Sequence, residues 1–325
     1  MSRDDAATSP ADHAWTSAVF GAVVHSITSS DSTSLTYPQF RAVPNGRLQL
    51  NIRTGGSGAG NQVLYEYAGG DWTYLGEFIN GQSERNAYLF GIEYQGSTLH
   101  TTWTWRESSS SASSNHDIMY AYSTDYGRTW KNNAGTQVAV TGSSYITEDS
   151  PGITVWTIPE NSGLINQESQ AVDSTGVVHV LASQLPGGAD NQSDFNTARA
   201  SAVLVHYYRD THGSWHQIYS DFYEGTSRSQ IGVDSSNNIY TVTPDYSAVA
   251  GPATEDPAYL KLRITAASAA ASWTDWTIRY TSTSGEDFGD PLLDRAYLAS
   301  SDILTVCYVE YGGSRIDWQD WQVNA

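Results

Sequence analysis

The eight residues Ser123-Thr124-Asp125-Tyr126-Gly127-Arg128-Thr129-Trp130 decide the fold class. They follow the pattern Ser-x-Asp-x-Gly-x-Thr-Trp, in which Asp and Gly suit a tight turn between two strands and Trp suits a buried position beside it. We interpret the stretch, called the Asp-box below, as the marker of one blade of a β-propeller. Turn geometry and packing explain every fixed position of the Asp-box pattern, so the Asp-box predicts a fold and no activity.

Similar units lie on both sides of the Asp-box, from about residue 47 onward. Each has alternating strands, a turn rich in Gly or Asn and an aromatic-bearing strand; the predicted strands are 47–53, 62–67, 71–75, 89–94, 98–105, 118–123, 167–173, 177–183, 202–208, 215–219, 230–234, 238–243 and 259–264. Several strands in a unit of roughly 45 to 55 residues are typical of propeller blades. We therefore predict an all-β propeller of antiparallel blades, of which this chain supports about five to six, with almost no helix.

Residues 1–34 are rich in Ser, Asp, Thr and Ala and show weak periodicity. We predict a loose N-terminal arm there, with truncated first blades as an alternative interpretation, and the propeller domain over residues 35–325. No stretch reaches transmembrane length, and the acidic opening Met1-Ser-Arg-Asp-Asp5 does not look like an export signal.

The chain is acidic, with 35 Asp and Glu against 16 Lys and Arg and a formal net charge of −19. Nucleic acids and anionic membranes require clustered Lys and Arg, which this sequence lacks. We predict neither as a partner, and we expect a monomer. An anionic ligand would have to be met by a few locally placed cations, so each arginine in a cleft is informative.

Three arginines, Arg53, Arg85 and Arg106, lie near the ends of predicted strands. A planar guanidinium can bind a uronate carboxylate through two hydrogen bonds and ease the removal of the neighbouring proton. The alternative is that each arginine pairs with an acid inside its blade, such as Glu84 or Glu107. Spacing alone leaves both interpretations open.

Asn115-His116-Asp117 opens a predicted strand after a polar loop. A histidine there can exchange protons near neutral pH or bind a substrate hydroxyl, and a structural histidine is equally compatible with the sequence. No zinc-protease, nucleotide-binding or serine-hydrolase motif is present. We predict no catalytic metal site, and a structural divalent cation such as calcium remains open.

A resemblance rests on nine motifs taken in order: Thr36-Tyr-Pro-Gln-Phe40, Pro44-Asn-Gly-Arg-Leu48, Arg53-Thr-Gly-Gly-Ser-Gly-Ala-Gly60, Arg85-Asn-Ala-Tyr88, Trp105-Arg-Glu107, Asn115-His-Asp117, the Asp-box, Ser162-Gly-Leu-Ile-Asn-Gln167 and Pro291-Leu-Leu-Asp-Arg295. In this order and spacing the sequence resembles the BNR-repeat (BNR-4) family, which is related to ulvan lyases and rhamnosyl-glucuronate lyases. The resemblance covers about residues 35–325.

The resemblance implies a propeller with seven blades, an extracellular location and a polysaccharide or oligosaccharide substrate. In the lyases a tyrosine and an arginine downstream of it face the substrate, and Tyr37 and Arg53 match this pair. Arg106 matches a further substrate-binding arginine. We predict Tyr37 and Arg53 as catalytic, and Arg106, His116, Asn115 and Arg85 as substrate-binding.

The sequence departs from the lyases in one respect. They carry two histidines upstream of the tyrosine, whereas His13 and His25 lie too close to Tyr37 and to each other to match them. The first hypothesis is therefore β-elimination of a uronic-acid-containing polysaccharide, impaired by the missing histidines. The alternatives are a non-catalytic carbohydrate-binding propeller and a propeller glycoside hydrolase, although no pair of acting carboxylates stands out.

Overall fold

The computed structural model describes residues 34–166, 169–186, 202–223, 228–245, 261–282, 290–309 and 316–323. Within these ranges the chain forms five antiparallel sheets arranged as a five-bladed β-propeller, which confirms the predicted fold class. The predicted arm over 1–34 lies outside the described residues except for its last position. No helix in the described ranges has the length and hydropathy needed to cross a membrane.

Each sheet is one blade. Blade 1 contains β1 (Leu35–Ala42), β2 (Leu48–Thr54), β3 (Asn61–Ala68) and β4 (Asp71–Ile79). Blade 2 contains β5 (Asn86–Gln95), β6 (Thr98–Arg106), β7 (Asn115–Ser123), β8 (Thr129–Lys131) and β9 (Gln137–Val140), with β10 (Thr154–Trp156) paired to β7. Blade 3 contains β11 (Ser169–Val172), β12 (Val178–Gln184), β13 (Val203–Arg209) and β14 (Trp215–Tyr223).

Blade 4 contains β15 (Gln230–Val233), β16 (Ile239–Asp245), β17 (Lys261–Ala267) and β18 (Thr277–Thr281). Blade 5 contains β19 (Leu292–Leu293), β20 (Ile303–Val309) and β21 (Ile316–Gln322). The first strand of every blade contributes residues to one central cavity. Side chains of these strands can therefore meet although they are far apart in sequence.

Apolar side chains bury the faces between neighbouring blades, because a sheet must cover its hydrophobic face with another element. Between blades 1 and 2, Leu64 and Phe78 pack with Trp103, Trp105 and Trp130. Similar clusters join blade 2 to blade 3, blade 3 to blade 4 and blade 4 to blade 5. The core is thus divided into layers that fix the blades around the axis.

The Asp-box forms the turn between β7 and β8, as predicted. The Asp125 carboxylate accepts hydrogen bonds from the Thr129 backbone N–H at 2.8 Å and from the Ser123 hydroxyl at 2.7 Å, and Gly127 has a φ of +79°. Burial raises the pKa of Asp125, but these hydrogen bonds outweigh burial and the net shift is downward. Trp130 is fully buried and stacks on Phe78 with ring centroids 4.6 Å apart.

One short helix, α1 (Arg295–Ser301), is an exception to the nearly helix-free prediction. Asp294 provides the reason, because its side chain accepts a hydrogen bond from the Tyr297 backbone N–H and caps the first turn. Leu298 anchors the helix in the core between blades 4 and 5. The helix places Arg295 on the wall of the central cavity.

Three histidines are buried within the blades. His100 Nδ1 lies 2.8 Å from the Tyr120 hydroxyl, and His179 Nδ1 lies 3.0 Å from His206 Nε2. Burial lowers the pKa of all three, that of His100 to about 4. These side chains are therefore neutral at pH 7 and have structural positions.

Because these histidines are buried, we expect acid to lower the stability of the folded protein. Because the pKa of His100 is 6.5 when unfolded and about 4 when folded, the unfolded chain binds the proton first; stability is complete above pH 6.5 and falls below it. At pH 5 this histidine alone should lower the free energy of unfolding by about 2 kcal/mol. Urea unfolding at pH 7 and pH 5 measures the loss. His100→Gln cannot take up the proton and should show a smaller decline; an equal decline would contradict the assignment.

Candidate functional site

Tyr37 lies in a strained part of β1. The pairing of β1 with β2 is interrupted between Thr36 and Gln39, and Tyr37 has a φ of +56°, a left-handed value that is unfavourable for a residue other than glycine. Its side chain is 43% exposed and lines the central cavity. Strain of this kind is concentrated at functional sites, which supports a role for Tyr37 beyond packing.

Arg53, near the end of β2, packs directly against Tyr37. Its Cζ lies 5.1 Å from the centre of the Tyr37 ring and 5.2 Å from that of Tyr88. Nε donates to Thr36 Oγ1 at 2.8 Å, and Nη1 donates to the Tyr88 hydroxyl at 3.1 Å. Arg53 is 5% exposed, and among the described residues its Nη2 has no hydrogen-bond partner, so this one nitrogen is left for a ligand.

The glycine-rich turn after β2 allows this packing. A Cβ atom at Gly60 would lie 3.0 Å from Arg53 Cδ and 2.3 Å from Asn86 Oδ1, so a side chain there would displace the Asn86 amide. Gly55 has a φ of +81° at the start of the same turn. The turn therefore shapes the surroundings of Arg53.

Arg106, at the end of β6, reaches the same place from blade 2. Its Cζ lies 5.8 Å from the centre of the Tyr88 ring, and its Nε donates to the Ser108 carbonyl at 2.8 Å. Within the described ranges, no carboxylate lies within 4.0 Å of the guanidinium nitrogens of Arg53 or Arg106. Tyr37, Arg53, Tyr88 and Arg106 form the arginine–tyrosine cluster.

Arg85 has a different environment. Its Nε lies 2.9 Å from Glu107 Oε2 and its Nη2 lies 2.8 Å from Glu148 Oε2, with Glu84 at 3.9 Å. Of the two interpretations that the sequence left open, Arg85 therefore follows the one in which the arginine pairs with acids inside its blade. Since its charge is already compensated, its predicted role in substrate binding has no geometric support.

His116 belongs to the same ionic network. Its Nε2 lies 3.1 Å from Glu107 and its Nδ1 lies 3.3 Å from Asp117. Burial lowers the pKa of His116, but hydrogen bonds to Asp117 and Glu107 outweigh burial and raise it to about 9. The imidazole is therefore protonated at neutral pH and is the second cation of the network, beside Arg85.

Asn115 is 1% exposed, and its Nδ2 donates to the Leu164 carbonyl at 2.9 Å. This contact connects β7 to the segment before β11 and leaves the amide out of reach of a ligand. The predicted substrate-binding role of Asn115 is therefore not supported by its position.

Glu107, His116 and Glu148 are the three side chains of the described residues whose potential metal-ligand atoms all lie within 4.8 Å. Arg85 contacts both glutamates, so a divalent cation would meet a guanidinium where it needs free carboxylates. The cluster does not fit a structural calcium ion, and we assign no role to a metal there.

The axial cavity beside the arginine–tyrosine cluster has a volume of about 770 Å³. Tyr37 lines it, and the ionic residues of its wall are Arg41, Glu93, Arg228, Asp290 and Arg295. Its size lies within the range of small-ligand sites in proteins. Cluster and cavity together are the candidate functional site.

Two features of this site were not predicted from the sequence. Tyr88 lies within a quoted motif but received no role, although it connects Arg53 and Arg106. The sequence did not indicate a role for Arg41, because an arginine on a strand that looks exposed does not show that its side chain faces the central axis. His13 and His25 lie outside the described residues.

The comparisons with known proteins agree with this fold. The sequence matches the family described as "BNR repeat-containing family member" over residues 5–221, and no curated protein matches the chain. The crystal structure of polysaccharide lyase Uly1 is similar with a TM-score of 0.59 and 17% identity, covering 90% of this chain and 58% of the lyase. The chain thus spans less than two thirds of the length of that protein.

Two further solved structures are more distant. An endo-arabinase from Bacteroides thetaiotaomicron has a TM-score of 0.44 at 8% identity, covering 91% of this chain and 96% of its own. The NanB sialidase from Streptococcus pneumoniae has a TM-score of 0.46 at 11% identity, covering 90% and 42%. The family match extends over more than half of the sequence and includes the arginine–tyrosine cluster and the Asp-box. The chain therefore belongs to the BNR repeat-containing family.

Proposed function

We propose that this protein cleaves a uronic-acid-containing polysaccharide by β-elimination, as an extracellular monomer whose propeller domain covers residues 35–325. The observation that carries the proposal is the arginine–tyrosine cluster. Arg53 and Arg106 have no acidic partner in the described ranges, and both approach the Tyr88 ring; Arg53 also contacts the exposed, strained Tyr37, in a protein with a net charge of −19. Such an arrangement suits a ligand that carries a carboxylate.

The chemistry of elimination explains why both residue types are needed. The proton on C5 of the uronate leaves, the bond between C4 and the glycosidic oxygen breaks, and a double bond forms between C4 and C5. Arg53 and Arg106 neutralise the uronate carboxylate and stabilise the negative charge that spreads onto it as the proton leaves. Tyr37 transfers a proton, either from C5 or to the departing oxygen.

A carbohydrate-binding protein without catalysis is the second candidate. It is favoured by one observation, namely that no histidine is found among the described residues that line the axial cavity. The hydrolase alternative has less support, because the two carboxylates of the cavity wall each face an arginine. Glu93 lies 3.7 Å from Arg295, and Asp290 lies 2.6 Å from Arg228.

Tyr37→Phe removes only the hydroxyl that moves the proton, so it should lower kcat about 10²- to 10⁴-fold, the range for loss of a general acid or base. Binding of the uncleaved polysaccharide should change little. The rate of formation of unsaturated uronate measures the effect. Tyr145→Phe is the control, since Tyr145 is 41% exposed and does not line the cavity. Equal rates for wild type and Tyr37→Phe would exclude Tyr37 as the proton-transfer group.

A further inference from the structure

The axial cavity carries cations that the arginine–tyrosine cluster does not use. Arg41, Arg228 and Arg295 line its wall together with two acids, Glu93 and Asp290. In the described wall the arginines outnumber the carboxylates, although the whole chain has more than twice as many acidic as basic residues. A cavity that concentrates positive charge inside an acidic protein favours an anionic occupant.

Two of these arginines are held in place by neighbours. Arg228 Nη1 lies 2.6 Å from Asp290 Oδ2, which compensates its charge. Arg295 donates from Nη2 to Gln230 Oε1 at 2.8 Å, while its Nη1 is 3.7 Å from Glu93 Oε1, too far for a hydrogen bond. Arg295 is therefore positioned firmly and retains a donor that faces Glu93.

Arg41 is less well satisfied. Its Nε donates to the Ile92 carbonyl at 3.2 Å, but Nη1 and Nη2 are buried and have no hydrogen-bond partner among the residues that the structure describes. Burial lowers its pKa to about 10, so the guanidinium is still charged at neutral pH. A buried charge without a partner is strongly unfavourable, which indicates that the two nitrogens have a partner in the working protein.

Glu93 does not fill this role. Its carboxylate interacts electrostatically with both Arg295 and Arg41, yet burial raises its pKa and it forms no hydrogen bond with Arg41 in the described structure. One carboxylate thus stands between two guanidinium groups that each have unused donors. A second carboxylate would accept hydrogen bonds from these unused donors.

We propose that Arg41 and Arg295 form a second carboxylate-binding subsite in the axial cavity, which takes another uronate of the polysaccharide held by the arginine–tyrosine cluster. Tyr37 belongs to the cluster and also lines the cavity, so one chain can pass from one subsite to the other. The inference rests on the proposed function and adds a substrate class: polysaccharides with at least two uronates in the bound segment.

The test compares a ligand with two carboxylates and a ligand with one. A hyaluronan tetrasaccharide carries two glucuronates, and glucuronic acid carries one. Calorimetry on the full chain should show that Arg41→Met weakens tetrasaccharide binding roughly 10- to 100-fold, as expected when a charged hydrogen-bonding partner is lost. Glucuronic acid can still bind at Arg53 and Arg106, so its affinity should change less than about 2-fold.

Arg279→Gln is the control, because Arg279 is exposed on β18 and does not line the cavity. Arg41→Met should keep the Tm of the free protein, since the loss of the hydrogen bond to Ile92 is offset by removal of a buried charge whose Nη1 and Nη2 have no partner in the described ranges. Arg41→Lys, which keeps the charge but loses the planar fork, should bind the tetrasaccharide with intermediate affinity.

Tetrasaccharide affinity that is unchanged in both Arg41 variants, or a wild type that does not bind the tetrasaccharide, overturns the second subsite. A failure of the proposed function looks different. In that case the tetrasaccharide binds through Arg41, but no uronate polysaccharide yields an unsaturated product.

Discussion

Arg53→Gln should lower kcat/KM for a uronate polysaccharide about 10²- to 10³-fold, the usual loss when one preorganised donor to a developing negative charge is removed. Arg53 has two aromatic rings around its guanidinium, and no carboxylate of the described residues lies within 4.0 Å to neutralise its charge. The glutamine keeps a polar group on a shorter side chain and loses the charge. Initial rates of formation of unsaturated uronate over a range of substrate concentrations measure the change.

Two further variants separate charge from stability. Arg53→Lys keeps the charge but not the planar fork, so its activity should lie between wild type and Arg53→Gln. Arg279→Gln removes an exposed arginine outside the cavity and should leave kcat/KM unaltered. If Arg53→Gln folds with the wild-type Tm and retains full activity, Arg53 does not neutralise the substrate carboxylate.

Trp130→Ala should lower the free energy of unfolding by about 3 to 5 kcal/mol, because truncation of a buried aromatic side chain leaves a cavity in the core. Trp130 is fully buried between blades 1 and 2, and its Nε1 donates to Thr141 Oγ1 at 3.0 Å. Both the stacking on Phe78 and this hydrogen bond are lost in the variant. Urea unfolding at pH 7 followed by tryptophan fluorescence or circular dichroism measures the difference.

Trp318→Ala provides the matched comparison, since Trp318 on β21 is 64% exposed. Removal of an exposed side chain usually changes stability by less than about 0.5 kcal/mol. Similar losses for the two tryptophan variants would show that the Asp-box tryptophan does not hold the blades together.

The fold was predictable because its signals are local. The Asp-box contains the carboxylate, the glycine and the tryptophan of one turn within eight residues, and each has the predicted position. β1 was missed because Tyr37-Pro38 and the irregular pairing around them disturb the alternation that reveals a strand. The short helix α1 was missed since seven residues are too few to show a helical period.

The site was predictable only in part. Tyr37 was chosen from the resemblance, and Arg53 and Arg106 from their place near strand ends and from the resemblance. The structure brings the three together through Tyr88; their roles stay predictions. Arg85 looked equivalent to Arg53 in the sequence. Whether an arginine contacts an acidic residue or an aromatic ring depends on how segments that are distant in sequence pack together. The spacing of residues along one strand carries no information about that packing.

Incubation of the protein with ulvan and with gum arabic, while the absorbance of the unsaturated uronate is followed, tests the central claim most directly. We predict that absorbance rises with at least one of the two polysaccharides and that Arg53→Gln abolishes the rise. New reducing ends that appear without any unsaturated product would contradict elimination and indicate a hydrolase instead.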